Sequence, residues 1–240
     1  YYGDVVGVTS SATQTQNVID FYENMQATSF GVFDNGWKYI YDRFADKYRY
    51  VPLNGDVAGL CASVTANGTP WFSPAGLNRG AIRGAVKLAF SPTKSERDSL
   101  YQNRINPVTS LPGQGIVLFG DKTALASPSA FDRINVRRLF LNIEKRARVL
   151  AEGVLFEQND TITRSSFNAA LSGYLSEVQA RRGVTDYLVV CDDTNNTAEV
   201  IDRNEFVAEI FVKPTRSINY VTVTVTATKT GVTFSEVVGR

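Results

Sequence analysis

Two long segments in the second half of the chain carry apolar residues at helical spacing. In residues 133–150 these positions fall three and four apart on one helical face, at Val136, Leu139, Phe140, Ile143, Ala147 and Leu150. In residues 163–182 the corresponding stripe comprises Phe167, Leu171, Tyr174, Leu175 and Val178. Thr163 is expected to cap the second helix, Arg181 and Arg182 to occupy its last turn, and a left-handed Gly183 to close it. The pattern predicts two long amphipathic helices.

Shorter patterns predict strands and helices around this pair. Alternating aromatic residues at 37–41 and 48–51 indicate a hairpin, and further strands are expected at 4–9, 116–119, 187–191, 205–213 and 218–228. A helix is predicted at 14–27, and the side chains expected to face inward are Val18, Phe21, Tyr22 and Met25. Short helices are predicted at 54–64, with Asn54 and Asp56 as capping groups, and at 95–102. Together these elements predict an α+β fold in which a mixed sheet is flanked by the two long helices.

The last residues of the chain form a second alternating segment. After the valine- and threonine-rich stretch at 218–228, residues 232–238 again alternate and are largely apolar. A short strand of this kind can add itself to the sheet of another chain, or it can be an internal strand of its own fold. The sequence leaves both alternatives open.

Composition removes several classes of active site. Histidine is absent, which excludes Ser/His/Asp and Cys/His nucleophilic sites and histidine metal sites. Cys61 and Cys191 are far apart and in no C-x-x-C pattern, so we expect two buried free thiols and no zinc cluster. We therefore expect no cofactor and no metal, and the absence of histidine, unusual in a soluble enzyme of this size, disfavours an enzyme. A carboxylate pair that is distant in sequence is not excluded.

The net charge is +1, and the two halves of the chain are nearly balanced. No direct nucleic-acid binding and no membrane insertion are therefore expected. Charge is concentrated locally, however, because residues 133–148 carry six basic side chains and one acidic one. This basic face is either solvated or a ridge that meets an acidic protein surface or phosphate.

Two short motifs suggest ligand binding but lack the required spacing. Gly120-Asp121-Lys122-Thr123 ends like a phosphate-binding loop, but the earlier glycine and the glycine directly before the lysine are missing. Asp192 and Asp193 have no EF-hand spacing. The simpler interpretations are that residues 120–123 form a loop without phosphate chemistry and that Asp192 and Asp193 lie in a solvated turn.

Several separated segments resemble one known family, in that family's order. The most informative is FDRINVRRLF at 131–140, followed by FEQND at 156–160. Others are YVPL at 50–53, SPAGLNRG at 73–80, GDKT at 120–123, CDDTNNT at 191–197 and IDRNEFV at 201–207. Residues 35–240 thereby resemble the C-terminal part of contractile tail sheath proteins of bacteriophages, most of all the T-even-type phages.

The resemblance implies a structural subunit that polymerises as stacked hexameric rings around a tail tube. Contraction of this polymer would drive the tube through the host envelope for genome delivery. It implies three parts: residues 1–34 as the truncated end of an adjoining α/β outer domain, 35–228 as the conserved core domain, and 229–240 as a linking arm hinged at 229–231. The chain lacks an initial methionine, so we expect a fragment or a processed product.

The resemblance also implies partners and interface residues. The expected partners are copies of the chain, the tail tube protein, and baseplate and tail terminator proteins, in a virion tail assembled in the host cytoplasm. The tube-facing candidates are Arg137, Arg138, Arg148, Arg164, Arg181 and Arg182. The candidates for the inter-subunit strand are Val232, Phe234, Val237 and Val238. Alternatives are the sheath of a bacteriocin or of another contractile injection system and, more distantly, a hydrolase without histidine or a standalone binding module.

Overall fold

The computed structural model of the protein describes residues 10–219. The helices are α1 (Ser11–Glu23), α2 (Asn54–Ala66), α3 (Lys94–Gln102), α4 (Ile134–Glu152), α5 (Thr161–Ala180) and α6 (Ala198–Asp202). The strands are β1 (Phe33–Asp34), β2 (Trp37–Asp42), β3 (Lys47–Pro52), β4 (Lys87–Leu88), β5 (Ile105–Asn106), β6 (Val108–Leu111), β7 (Gly115–Leu118), β8 (Val184–Val190) and β9 (Glu209–Pro214).

The two predicted long helices are confirmed as α4 and α5, and they share one apolar core with a strand pair. Leu139 and Ile143 of α4 pack with Leu171, Leu175 and Val178 of α5, and all five side chains are buried. The antiparallel pair β8–β9 contributes apolar side chains to the same core, among them Val184, Val189, Ile210 and Val212. Burial of this continuous apolar face supplies the main favourable term in the folding of this part of the chain.

The ends of α5 differ from the prediction. Asp160, rather than Thr163, is the N-cap, and its carboxylate accepts a hydrogen bond from the Thr163 amide at 2.8 Å. At the other end the left-handed residue is Arg182, with φ 64°, rather than Gly183. The amides of Arg182 and Gly183 donate to the carbonyls of Gln179 and Val178, which is the Schellman arrangement with its left-handed position one residue earlier.

Glycine is required at position 183 because there is no room for a side chain. A Cβ atom on Gly183 would lie 2.5 Å from Val178 Cγ1 and 3.0 Å from the Trp71 ring. The end of α5 therefore packs against the loop of Trp71, whose indole Nε1 donates to the Arg181 carbonyl at 3.0 Å.

A second core lies under α1. Val18 is buried with Leu100 of α3, with Ile105 of β5, and with Phe33 of β1, which pairs in parallel with β5. Tyr22 packs at the edge of this core, whereas Met25 was wrongly predicted to face inward, because the helix ends at Glu23 and Met25 is 40% exposed. Thus α1 packs on residues that follow position 34, and the predicted domain boundary there remains a prediction.

The predicted hairpin and short helices are confirmed. β2 and β3 pair in antiparallel register, β4 adds to β2, and the helices at 54–64 and 95–102 are α2 and α3. Thr93 caps α3 in a capping box with Glu96. The N-cap of α2 is Leu53, which makes no side-chain cap. Of the two predicted capping groups, Asn54 Oδ1 accepts a hydrogen bond from the Gly55 amide at 2.8 Å in the first turn, whereas the Asp56 carboxylate pairs with Lys38 instead.

The α+β class is confirmed. Among the described residues the strands form four small sheets, and the two long helices pack on the β8–β9 sheet. The predicted strands at 116–119, 187–191 and 205–213 correspond to β7, β8 and β9 with shifted ends. The predicted strand at 4–9 and residues 220–228 of the last predicted strand lie outside the described residues. Both cysteines are free; Cys191 is buried as expected, whereas Cys61 is only partly buried.

We expect Gly183→Ala to lower the free energy of unfolding by about 1–3 kcal/mol, because its methyl group would overlap Val178 and Trp71. Gly173→Ala is the matched control, because Gly173 lies within α5 and a Cβ there would meet nothing within 4 Å. This control should stabilise the protein by roughly 0.5–1 kcal/mol through helix propensity. Urea denaturation of both variants checks the pair, and equal effects of the two substitutions would contradict the packing described here.

A pH-dependent effect is expected at Asp34, a buried carboxylate in β1 that accepts a hydrogen bond from the Gly36 amide at 3.0 Å. Burial, assisted by the nearby Asp56, raises the pKa of Asp34 to about 6. Its protonated form is therefore favoured by folding, and this stabilisation is lost as the pH rises through about 6. Asp34→Asn should stabilise the protein by up to ~3 kcal/mol at about pH 7.5 and by under ~1 kcal/mol at about pH 4.

Denaturant titrations of wild type and Asp34→Asn at the two pH values measure this difference. Asp42→Asn is the control, because hydrogen bonds from the Phe44 and Ala45 amides lower the pKa of Asp42, the opposite direction. A gain from Asp34→Asn that stayed the same at both pH values would show that the Asp34 carboxylate is not protonated by folding.

Candidate interface surfaces

The basic face of α4 is divided between internal contacts and solvent. Arg137 lies between two aromatic rings, 4.4 Å from the Phe30 centroid and 4.0 Å from that of Phe131, and donates to Ser29 Oγ. Arg138 donates to the Cys61 carbonyl at 2.6 Å and to the Thr65 hydroxyl. These two arginines tie α4 to the N-terminal part of the chain and to α2 and are half-buried.

Exposed positive charge on α4 is confined to its second half. Lys145, Arg146 and Arg148 are all exposed, and the Arg146 guanidinium lies 5.9 Å from the ring of Tyr174 on α5. Only this half of α4 therefore presents a basic ridge that is open to a partner.

Arg164 was expected to be exposed, and this expectation is wrong. Its side chain is 6% exposed, and it donates to the Asn159 carbonyl at 3.2 Å, to Asn159 Oδ1 at 2.8 Å and to Asp193 Oδ1 at 2.5 Å. The partner carboxylate belongs to the polar turn after β8, which helical periodicity around Arg164 does not reveal. Arg164 thus joins the start of α5 to that turn.

Arg181 and Arg182 are both exposed at the end of α5, but they differ in their contacts. Arg181 donates to the Gly68 carbonyl and to Glu177, and its guanidinium lies 5.5 Å from the Trp71 ring. Arg182, in its left-handed conformation, lies at the edge of a large groove. The predicted arginines are therefore not brought together on one surface.

The groove is a concavity of about 780 Å³ formed by segments that are far apart in sequence. Part of its wall is aromatic, with Trp71, Phe72 and Phe119. Its lining includes six cationic side chains and two carboxylates: Arg79, Lys94, Arg97, Lys122, Arg182 and Arg216, with Asp98 and Asp121. Two of the cations lie near aromatic rings, with Arg79 5.2 Å from the Phe72 centroid and Arg97 5.6 Å from that of Phe119. Sequence analysis missed this surface, because no single segment contains it.

Gly120, Asp121 and Lys122 line the groove, and the contacts of their loop serve a structural role. The buried Asp121 carboxylate accepts hydrogen bonds from the Tyr101 hydroxyl at 3.1 Å, from Asn219 Nδ2 at 3.1 Å and from the Ser217 hydroxyl. Lys122 Nζ donates to the Tyr101 carbonyl at 2.6 Å. Burial is the main cause that lowers the pKa of Lys122, and the nearby positive charge of Arg133 lowers it further. The loop thus holds together distant parts of the chain, including Ser217 and Asn219 near the end of the described residues.

The inter-subunit strand candidates Val232, Phe234, Val237 and Val238, and the predicted hinge at 229–231, lie outside the described residues. Within residues 10–219 no group of three or more acidic or cysteine side chains is arranged to hold a metal ion. None of the helices described above is both long and apolar enough to cross a membrane.

Comparison with known proteins identifies relatives over almost the whole chain. The model of the phage tail sheath protein central domain matches residues 4–124, and that of the phage tail sheath C-terminal domain matches residues 126–228. The chain is 51% identical over 228 residues to the tail sheath protein of Vibrio phage KVP40, covering 95% of this chain and 34% of that protein. It is 49% identical over 213 residues to that of Enterobacteria phage T4, covering 89% and 32%. The chain spans about a third of the length of these relatives.

Solved structures share the fold at low sequence identity. The PVC sheath complex of an extracellular contractile injection system in the contracted state matches with TM-score 0.79 and 20% identity, covering 92% of this chain and 61% of that chain. The helical sheath of the anti-feeding prophage in the contracted state matches with TM-score 0.70 and 18% identity, covering 80% and 54%. Since the family models cover both parts of the chain and the fold agrees, the chain belongs to the phage tail sheath protein family.

Proposed function

We propose that the chain is the core of a contractile phage tail sheath subunit, which polymerises as stacked hexameric rings around the tail tube. Contraction of the sheath then drives the tube through the host cell envelope for genome delivery. The observation that carries this proposal is the match of both family models together with identities of about 50% to two phage tail sheath proteins.

A phage sheath is favoured over the sheath of another injection system. The phage relatives are 39–51% identical to this chain, whereas the injection-system structures are 16–21% identical. We accordingly place the protein in the virion tail, assembled in the host cytoplasm, with its own copies, the tail tube, the baseplate and the tail terminator as partners. Its role in this proposal is structural rather than catalytic.

Contraction is proposed to be a rigid-body rearrangement of subunits. The shared core of α4, α5 and β8–β9 is closely packed, and packed cores shift between discrete arrangements rather than deform continuously. A sheath of such subunits contracts when the contacts between them are more favourable in the contracted lattice, while contacts with the tube hold the extended one. Residues 232–238 are the proposed linking arm, and the Asp121 contacts with Ser217 and Asn219 hold the last described part of the chain to the domain.

The exposed basic half of α4 is proposed to face the tube. Lys145, Arg146 and Arg148 present three adjacent positive charges to solvent, a surface that fits an acidic protein surface. Arg137, Arg138 and Arg164 are occupied by internal contacts, so within this proposal they position the helices rather than touch the tube. Arg181 and Arg182 lie at the other end of the helix pair.

Reversal of all three charges to glutamate, in a full-length sheath protein carrying this chain, should abolish coating of purified tail tubes. Each exposed contact contributes only about 1 kcal/mol or less, but the loss is multiplied over the many subunits of a polymer. Polymerisation without tubes should remain unchanged. Negative-stain electron microscopy of sheath mixed with tubes measures both properties.

Arg43→Glu with Lys47→Glu is the control, because these exposed cations lie at and near the β2–β3 turn, away from α4. This variant should coat tubes as wild type does. Normal coating by the α4 variant would rule out this helix as the tube-facing element, and absence of any sheath from the unmodified protein in the presence of tubes would refute the proposed function itself.

We expect a second loss of function when the proposed linking arm is removed. Deletion of residues 232–240 from the full-length protein should abolish ring stacking while leaving the fold of the domain intact, because main-chain hydrogen bonds between subunits would be lost. Electron microscopy shows the polymer, and circular dichroism with thermal melting shows the fold. Sheaths of normal length from the truncated protein would exclude the arm as a necessary link.

A further inference from the structure

The connection between α4 and α5 carries exposed apolar side chains. Phe156 is fully exposed, with a relative accessibility of 102%, and its backbone lies in the left-handed region at φ 70°, where a residue with a bulky side chain is strained. Leu155 and, at the start of α5, Ile162 are also largely exposed. We call residues 153–162 the tip. A strained backbone that holds an aromatic ring in solvent indicates a contact with something outside the described residues.

The tip is also acidic. Between Arg148 and Arg164 the chain contains Glu152, Glu157 and Asp160 and no basic residue. A partner surface for the tip should therefore combine an apolar wall with positive charge.

The groove described above has this combination. Its aromatic residues Phe72 and Phe119 each lie beside an arginine, and its lining carries six cations against two carboxylates. The groove wall also includes Asn135, whose buried Oδ1 atom has no hydrogen-bond partner among the described residues. That acceptor is available to a backbone N–H group of an inserted segment.

Groove and tip lie at opposite ends of the same helix pair. Asn135 at the start of α4 and Arg182 just after α5 line the groove, whereas the tip connects the end of α4 to the start of α5. Helix α4 has 19 residues, so the two surfaces are separated by about 28 Å. A molecule with complementary surfaces at its two ends associates head to tail, and such heterologous contacts form closed rings or open, extendable polymers, depending on whether the rotation between copies closes.

We propose that the tip of one copy of this chain docks into the groove of a second copy. Phe156 packs against the aromatic wall near Phe119, and Glu157 lies among the arginines, with Arg97 as its nearest charge partner. The proposal rests on the proposed function, because it supplies one of the contacts between subunits that a sheath polymer needs.

A mixing experiment with the 240-residue chain tests this contact. The tip variant is Phe156→Ser with Glu157→Arg, and the groove variant is Phe119→Ser with Arg97→Glu. Each variant retains one intact surface, so each alone should fail to associate, with Kd raised more than about tenfold, as for loss of an aromatic anchor. An equimolar mixture of the two should form dimers of one copy of each and nothing larger. Wild type should form larger species as its concentration rises, which sedimentation velocity resolves.

The control variant removes another exposed pair of an aromatic ring and an arginine, far in sequence from the tip. Phe44 is exposed at the β2–β3 turn, with the Arg43 guanidinium 5.0 Å from its ring centroid. Phe44→Ser with Arg43→Glu should associate as wild type does. Recovery of dimers in the mixture also excludes misfolding, because each variant must present one working surface.

The proposal is overturned by a wild-type chain that stays monomeric, by a tip variant that associates like wild type, or by a mixture of variants that stays monomeric. Association that appears only when residues 220–240 are deleted also overturns it, because the groove would then hold the C-terminal segment of its own chain. Normal sheaths from a full-length protein with the tip variant would remove this contact and leave the proposed function standing. Absence of any sheath from the unmodified full-length protein would remove the proposed function instead, whatever the mixing result.

Discussion

The apolar core between α4, α5 and the β8–β9 pair determines where every candidate surface lies. Leu139, Leu171 and Leu175 are completely buried in it, so the two helices are held side by side along their length. The exposed basic half of α4, the apolar tip and the end of α5 at the groove are thereby fixed relative to one another. The proposed role, transmission of movement between a tube and neighbouring subunits, requires such rigidity, because a deformable core would absorb the displacement.

A polar network complements this core on the side of the groove. Asp121 accepts hydrogen bonds from Tyr101, Ser217 and Asn219, which lie in two parts of the chain more than a hundred residues apart. Buried networks of this kind stabilise one arrangement when their members are satisfied. The consequence here is that Ser217 and Asn219 are held at a defined position beside the groove.

Periodicity predicted the elements well and their long-range contacts poorly. The stripes of α4 and α5 and the β2–β3 hairpin follow from local spacing, so the sequence predicted them with errors of a few residues at the ends. The burial of Arg164 depends on Asp193, 29 positions away, and no local pattern reveals that pairing. The groove is assembled from segments between Trp71 and Asn219, so its residues could not be grouped from the sequence. The resemblance of separated segments to sheath proteins supplied the family, which composition alone did not.

Electron cryomicroscopy of the full-length protein assembled on tubes would test whether the chain is a rigid core of a contractile sheath. The structure should be determined in both the extended and the contracted state. We expect residues 134–214 of the two states to superpose within about 1 Å, as in other rigid-body transitions, while contacts between copies change. Separation of α4 and α5 from β8–β9 in either state, or failure to form a sheath around the tube, would contradict it.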